Sequence, residues 1–240
     1  MSTKSGGLVG LLKNLIKPRN RFRAIVYLVL YLLSLAYLAL PYVYNQTVAA
    51  PATSLQFIDL ATFIVALPLI ILAYMFQQDT LKETMTNLGL GIRSMSYSNI
   101  GMGVVLFVAM LIVEFVSFAI LNLYGMTAGS TNIYIFMAHS PLWFLFFVAI
   151  IVPIVIEVFF RGFLVPRIGV ILSAVLFAAI YLAFDSVPLI VYALVFGLLA
   201  GYIFKRADTL YPTIIASLLS CISFVVLLLT YHPIGFVSLL

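Results

Sequence analysis

The sequence predicts an all-α protein, a polytopic transmembrane helical bundle whose N-terminus lies in the cytoplasm. Three observations support this fold class: the composition, a series of long apolar runs, and the placement of the basic residues. Hydrophobic residues make up 65% of the 240 residues, and charged residues make up only 8%. A soluble domain carries about 25% charged residues, so soluble and disordered classes are excluded. Lipid must therefore be the solvent for most of this chain.

The apolar runs supply the membrane spans, since a transmembrane helix needs about 20 largely apolar residues. The fifth and sixth runs are short and are separated by Asp185 and Pro188, which indicates a tight helical hairpin. About seven spans leave room for short loops and for no separate soluble domain. The runs lie at residues 24–44, 58–76, 99–124, 140–160, 169–184, 187–204 and 210–231.

The basic residues indicate the orientation of these spans. With a cytoplasmic N-terminus and alternating spans, all 12 Lys and Arg residues fall on the inner side. The outer side then carries Asp59, His139, Asp185 and His232, and no Lys or Arg. This is the positive-inside pattern, and it supports the span count as well as the orientation. We expect a multi-pass protein of the cell membrane, specifically a prokaryotic plasma membrane.

Four segments organise the chain. Residues 1–23 are basic and carry apolar residues at roughly helical spacing. They form either an amphipathic cytoplasmic helix on an anionic membrane surface or a basic tail that only sets orientation. Residues 24–139 supply N-terminal transmembrane helices and residues 140–231 a transmembrane core. Residues 232–240 are a short tail or the start of a truncated eighth helix. Nucleic acid is not an expected partner, because the basic residues form no single soluble patch.

Few ionisable residues lie inside the spans, and those few are functional candidates because a charge in lipid is costly. Glu114 lies in the middle of the third span. Glu157 and Arg161 lie near the inner end of the fourth span, four residues apart and so on one helix face. Spacing alone favours a structural ion pair; the alternative is a catalytic carboxylate oriented by the arginine. The single cysteine, Cys221, excludes an intrachain disulfide and is interpreted as a packing residue.

Residues 156–164, Ile-Glu-Val-Phe-Phe-Arg-Gly-Phe-Leu, resemble the first motif of the CPBP family. This family of intramembrane metalloproteases comprises the CAAX prenyl proteases and bacteriocin-processing proteins, also called Abi, and its first motif is Glu-Glu-x-x-x-Arg. Residues 173–181 resemble the segment that carries the Phe-x-x-x-His motif, and residues 196–202 the glycine-rich helix after it. Residues 208–217 resemble the approach to the last motif, His-x-x-x-Asn. The resemblance therefore defines residues 140–231 as a CPBP-like core.

The departures from these motifs decide the expected function. Ile156 stands where the family has its first Glu, and Tyr181 stands where it has the histidine of the second motif. Ser217 and Cys221 stand in place of the last His and Asn. The resemblance implies that the first Glu and the histidines activate water or hold a metal. Isoleucine cannot take a proton, and tyrosine has a pKa of about 10. The matching positions are Glu157, Arg161 and Phe177.

We therefore expect no catalytic residue, no metal and no cofactor. His139 and His232 map to the outer side, whereas the resemblance implies a site that opens toward the cytoplasmic half. Hydrolytic zinc sites use three convergent protein ligands, and Glu157 with Cys221 is a poor set. A cysteine nucleophile also needs a positioned base, and the sequence shows none for Cys221.

The resemblance then implies a catalytically inactive CPBP-like protein, a pseudoenzyme. Such a protein binds another membrane or cell-envelope protein as a scaffold or regulator, or acts in bacteriocin immunity. Two alternatives stay open. An active, atypical CAAX-type peptidase uses Glu157 as its base. A small membrane transporter needs polar groups or broken helices at the midplane, for which Pro68, Pro153 and Glu114 are weak hints.

Glu114 lies at about the same depth as Tyr181 when helix rise is counted at about 1.5 Å per residue. We predict that Glu114 is protonated and hydrogen-bonds Tyr181 or another hydroxyl; a proton relay, the alternative, lacks a visible chain of partners. Glu114→Gln keeps a neutral hydrogen-bonding group, so the free energy of unfolding changes by less than about 0.5 kcal/mol. Thermal unfolding in detergent measures this change, and substantial destabilisation contradicts the prediction.

Overall fold

The computed structural model describes residues 85–91, 95–125, 137, 142–181 and 187–231. Helices dominate these residues, and no strand occurs among them. Four helical runs are long and apolar enough to cross a membrane, and one shorter apolar helix accompanies them. The predicted all-α membrane bundle is therefore confirmed. The predicted spans at 24–44 and 58–76, the basic segment 1–23 and the tail 232–240 lie outside the described residues.

Six α-helices and one π-helical segment form the described part of the chain. The predicted spans from residue 99 onward each correspond to one of these helical runs. The bounds are α1 Tyr97–Leu123, α2 Leu142–Glu157, the π-helical segment Val158–Leu164, α3 Val165–Ile168, α4 Val170–Ile180, α5 Val187–Ala207 and α6 Tyr211–Tyr231.

Local sequence explains several of the helix ends. The side chain of Ser96 accepts a hydrogen bond from the Asn99 N–H at 3.3 Å, which caps the start of α1. Gly169, with a φ of 87°, separates α3 from α4 and takes a backbone conformation that side chains disfavour. Pro212 lies in the first turn of α6, where its missing N–H costs no helical hydrogen bond.

The fourth predicted span differs from the observed helical run in one respect that matters for the site. The apolar run was expected to end near residue 160, with Arg161 at the inner boundary. The helical run instead continues from Leu142 to Ile168, because the π-helical segment and α3 extend it. Arg161 is consequently buried within the bundle and not at its edge.

The helices pack around one main core and one smaller cluster. α4 packs on α5, and α6 packs on both α1 and α2. Aromatic side chains from the π-helical segment, α4 and α5 fill the main core. The smaller cluster joins α2 to α6. The main core draws on residues within 140–231 and also on Leu88, Leu106 and Met110, which precede that range.

Two glycines allow α5 to approach α4 closely. A Cβ atom at Gly197 would lie 2.9 Å from the Cα of Ala174, closer than real side chains come. A Cβ atom at Gly201 would lie 2.7 Å from a methyl group of Val170. Membrane helices use small residues in this way, because lipid offers no hydrophobic drive for helix association.

Residues 85–91 form a short segment, here called the inner strap, that contacts the core near the predicted cytoplasmic side. The carbonyl of Gly89 accepts hydrogen bonds from the Leu210 N–H and the Thr209 hydroxyl, each at 2.9 Å. Leu88 is fully buried, and its carbonyl would lie 3.1 Å from a Cβ atom at Gly162. The inner strap thus closes one end of the core against the π-helical segment and the turn between α5 and α6.

We predict that Gly197→Ala destabilises the protein by about 1–3 kcal/mol, because the added methyl group overlaps Ala174. Gly101→Ala is the matched control, since no atom lies within 4 Å of a Cβ built there. Alanine favours a helix over glycine by about 1 kcal/mol, so the control is neutral or slightly stabilising. Thermal unfolding in detergent compares the two variants, and equal effects contradict the close approach.

Candidate functional site

Glu157 and Arg161 form a buried ion pair at the junction of α2 and the π-helical segment. Arg161 Nη1 lies 3.3 Å from Glu157 Oε1. The two side chains are 0% and 1% exposed. All seven residues of the π-helical segment are buried as well. Single π-turns of this kind occur often at functional sites, because the wider turn changes where side chains point.

Ser217 brings α6 to the same carboxylate. Its hydroxyl donates a hydrogen bond of 2.8 Å to Glu157 Oε1. Hydrogen bonds to an ionised acceptor are shorter and stronger than those between neutral groups. One carboxylate oxygen therefore faces both the guanidinium and a hydroxyl from a helix 60 residues further along the chain.

Two aromatic rings lie against the Arg161 guanidinium. The Cζ atom lies 4.4 Å from the ring centroid of Phe177 in α4 and 5.0 Å from that of Phe196 in α5. The two centroids are only 6.1 Å apart, so the rings occupy adjacent sides of the guanidinium and not opposite faces. Cation–π attraction of this kind strengthens when the cation is desolvated. Helices α4, α5 and α6 thus converge on a buried charge pair that α2 and the π-helical segment carry.

The other motif positions surround this pair. Tyr181 follows the last turn of α4, and its ring meets that of Phe177 edge to face at 5.6 Å. Cys221 lies one turn beyond Ser217 on α6, as a half-buried free thiol. Ile156 is half-buried and packs against the main core.

Sequence reasoning missed three residues of the site: Phe196, Tyr192 and Ser220. The side chains of Tyr192 and Ser220 lie within hydrogen-bonding reach, and Tyr192 interacts electrostatically with Glu157. Helical spacing carried a usable signal. Ser217 and Ser220 share a face of α6, and Tyr192 and Phe196 share a face of α5.

Glu114 belongs to the same polar neighbourhood. It is half-buried in α1 and interacts electrostatically with both Tyr181 and Tyr192. The structure therefore places Glu114 within electrostatic range of Tyr181. A hydrogen bond between the two stays a prediction. His139 and His232 lie outside the described residues.

The residues at the motif positions do not fit the metal that the CPBP resemblance implies. In the part of the chain that the structure describes, no group of three His, Cys, Asp or Glu side chains is placed to hold a metal ion. Among the described residues, Glu157 supplies the carboxylate at the centre, and its Oε1 faces Arg161 and Ser217. A hydrolytic zinc site needs three convergent ligands.

Residues 138–222 match the family model described as Rce1-like, type II CAAX prenyl endopeptidase. Over these residues, here called the Rce1-like core, the chain is similar to that family. The matched residues include every motif position described above, so the resemblance found in the sequence is confirmed over them. No curated protein and no solved structure matches the chain. The Rce1-like core is thus a membrane-embedded unit built around the Glu157–Arg161 pair.

We predict that Glu157→Leu and Arg161→Met each destabilise the Rce1-like core by about 3–5 kcal/mol, because each leaves a buried charge unpaired. The double variant replaces both charges with apolar groups, so it loses less than either single variant. Denaturant unfolding in detergent measures all three. Losses that simply add in the double variant contradict a coupled, buried pair.

Proposed function

We propose that this protein is a proteolytically silent, Rce1-like membrane protein that acts by binding another membrane or cell-envelope protein. One observation carries the proposal: Glu157 Oε1 faces a guanidinium and a serine hydroxyl, the latter at 2.8 Å. A general base has to be within hydrogen-bond reach of the proton that it takes from water. Here the groups that face Glu157 Oε1 are the Ser217 hydroxyl and the Arg161 guanidinium, so this oxygen is already engaged by protein groups.

Ser217 explains how the packing of the site can be kept when the site has no catalytic base. It stands where the family motif has a histidine, and its hydroxyl donates to the carboxylate. A serine hydroxyl holds the carboxylate in place, yet it cannot serve as a base near neutral pH. Tyr181 likewise stands in place of a histidine and packs on the ring beside Arg161. Both replacements preserve packing and remove the groups that would move protons.

A membrane partner fits the surface of the described helices. Large apolar side chains project outward, among them Phe115, Trp143 and Phe146. Lipid or the helices of another membrane protein suit such a surface. Within this proposal the chain is a scaffold, a regulator or a bacteriocin-immunity protein of a prokaryotic plasma membrane. The positive-inside pattern supports the orientation of the spans in that membrane, with the N-terminus in the cytoplasm.

The second candidate function is an active, atypical CAAX-type peptidase. Two observations favour it: the Rce1-like match itself, and Glu157 Oε2, which makes no hydrogen bond within the described residues. This second oxygen is the atom that a reacting water would have to approach. The two candidates differ in whether Glu157→Ala abolishes an activity or only weakens the fold.

We predict that affinity purification in a mild detergent, followed by mass spectrometry, recovers one membrane protein in stoichiometric amount. Reciprocal purification through that protein recovers this chain. Cys221→Ser is the matched variant; it retains the partner, because the thiol is interpreted as packing.

The contrary outcome is equally specific. It is recovery of the chain alone, together with cleavage of a prenylated CAAX peptide that disappears in Glu157→Ala at normal expression. That result overturns the scaffold proposal in favour of the peptidase.

A further inference from the structure

Three atoms of the central ion pair are buried and make no hydrogen bond within the described residues. They are Glu157 Oε2, Arg161 Nη1 and Arg161 Nη2. Both side chains are almost completely buried, so bulk solvent does not reach these atoms. Buried polar atoms in folded proteins nearly always have a partner, either protein or ordered water. We propose that a water molecule enclosed in the core bridges Glu157 Oε2 and the Arg161 guanidinium.

The chemistry of the unpaired atoms selects a neutral ligand. Oε2 is an acceptor, whereas the two Nη atoms are donors, so the ligand has to donate at one end and accept at the other. Water does both. An anion would accept from Arg161 but would be repelled by Glu157, and it would leave a net negative charge in the apolar core. A cation fails for the converse reason.

The surroundings limit the side from which the ligand reaches the guanidinium. Phe177 and Phe196 lie against two adjacent sides of it, so the ligand has to approach the nitrogens from the remaining sides. Oε1 already receives the Ser217 hydroxyl. Water on Oε2 therefore gives each carboxylate oxygen one short hydrogen bond. Buried waters commonly make two to four such bonds, and a bridge between Oε2 and the guanidinium meets this requirement.

With the water in place, Glu157 and Arg161 are joined by a water-mediated bridge as well as by their direct contact. The direct Nη1–Oε1 contact is 3.3 Å long and does not meet hydrogen-bond geometry. A bridging water supplies the missing hydrogen bonds without a third charged side chain. This inference does not depend on the proposed function, because a scaffold and a peptidase would both need a satisfied pair.

Water-edited solid-state NMR of the full chain in lipid bilayers, labelled with ¹⁵N-arginine, tests the proposal. Magnetisation is expected to pass from water to the Arg161 side chain, and to build up more slowly than at Arg167. Arg167 is the matched control, because it is only part-buried and donates to the Phe163 carbonyl at 2.6 Å. The Arg161 signal is assigned by its loss in Arg161→Lys.

Two outcomes overturn the proposal. Absence of transfer to Arg161 shows a dry pair. A saturable shift of the Arg161 signal on addition of chloride, phosphate or acetate shows an anion site instead.

If Arg161→Lys does not fold, a high-resolution structure of the native chain in nanodiscs gives an independent measurement. Density at about 2.7–3.2 Å from both Oε2 and an Nη atom supports the water, and its absence contradicts it.

Discussion

A charge pair inside a membrane protein has to be satisfied on every side, and the Glu157–Arg161 pair imposes this condition on its neighbours. α6 has to present Ser217 to the carboxylate. α4 and α5 have to present aromatic rings to the guanidinium. Those two helices approach each other closely because Gly197 and Gly201 carry no side chains. The arrangement of the bundle is therefore coupled to a single buried interaction, since an unpaired charge there is far more costly than a paired one.

The same condition separates the architecture of the site from its chemistry. Holding a buried pair requires hydrogen-bonding groups, aromatic faces and close packing, and the described residues supply the Ser217 hydroxyl, two aromatic rings and a packed core. Hydrolysis requires additional groups that take and return a proton. The aromatic faces and the Ser217 hydroxyl serve the first requirement, whereas tyrosine and serine stand at the positions that resemble two motif histidines. The packing around a buried charge pair and the groups that move protons are therefore separate properties of this core.

The sequence predicts much of this fold, because apolar runs and basic loops report the membrane directly. It also locates Glu157, Arg161, Ser217 and their neighbours through the family motifs. Other features left no pattern. Hydropathy does not distinguish a π-turn from an α-turn, so the extension of the helical run past Arg161 was not expected. The ring of Phe196 and the docking of the inner strap depend on contacts between distant parts of the chain, which no local periodicity records.

The inner strap also constrains the order in which the protein is assembled. Gly89 accepts its hydrogen bonds from Thr209 and Leu210, about 120 residues later in the chain. A ribosome completes the strap long before it completes the helix that follows those partners. During synthesis the strap therefore lacks its hydrogen bonds to Thr209 and Leu210 until the last described helix has entered the bilayer. Insertion of α6 is thus the step that brings Ser217 to the Glu157 carboxylate and completes the contacts around the charge pair.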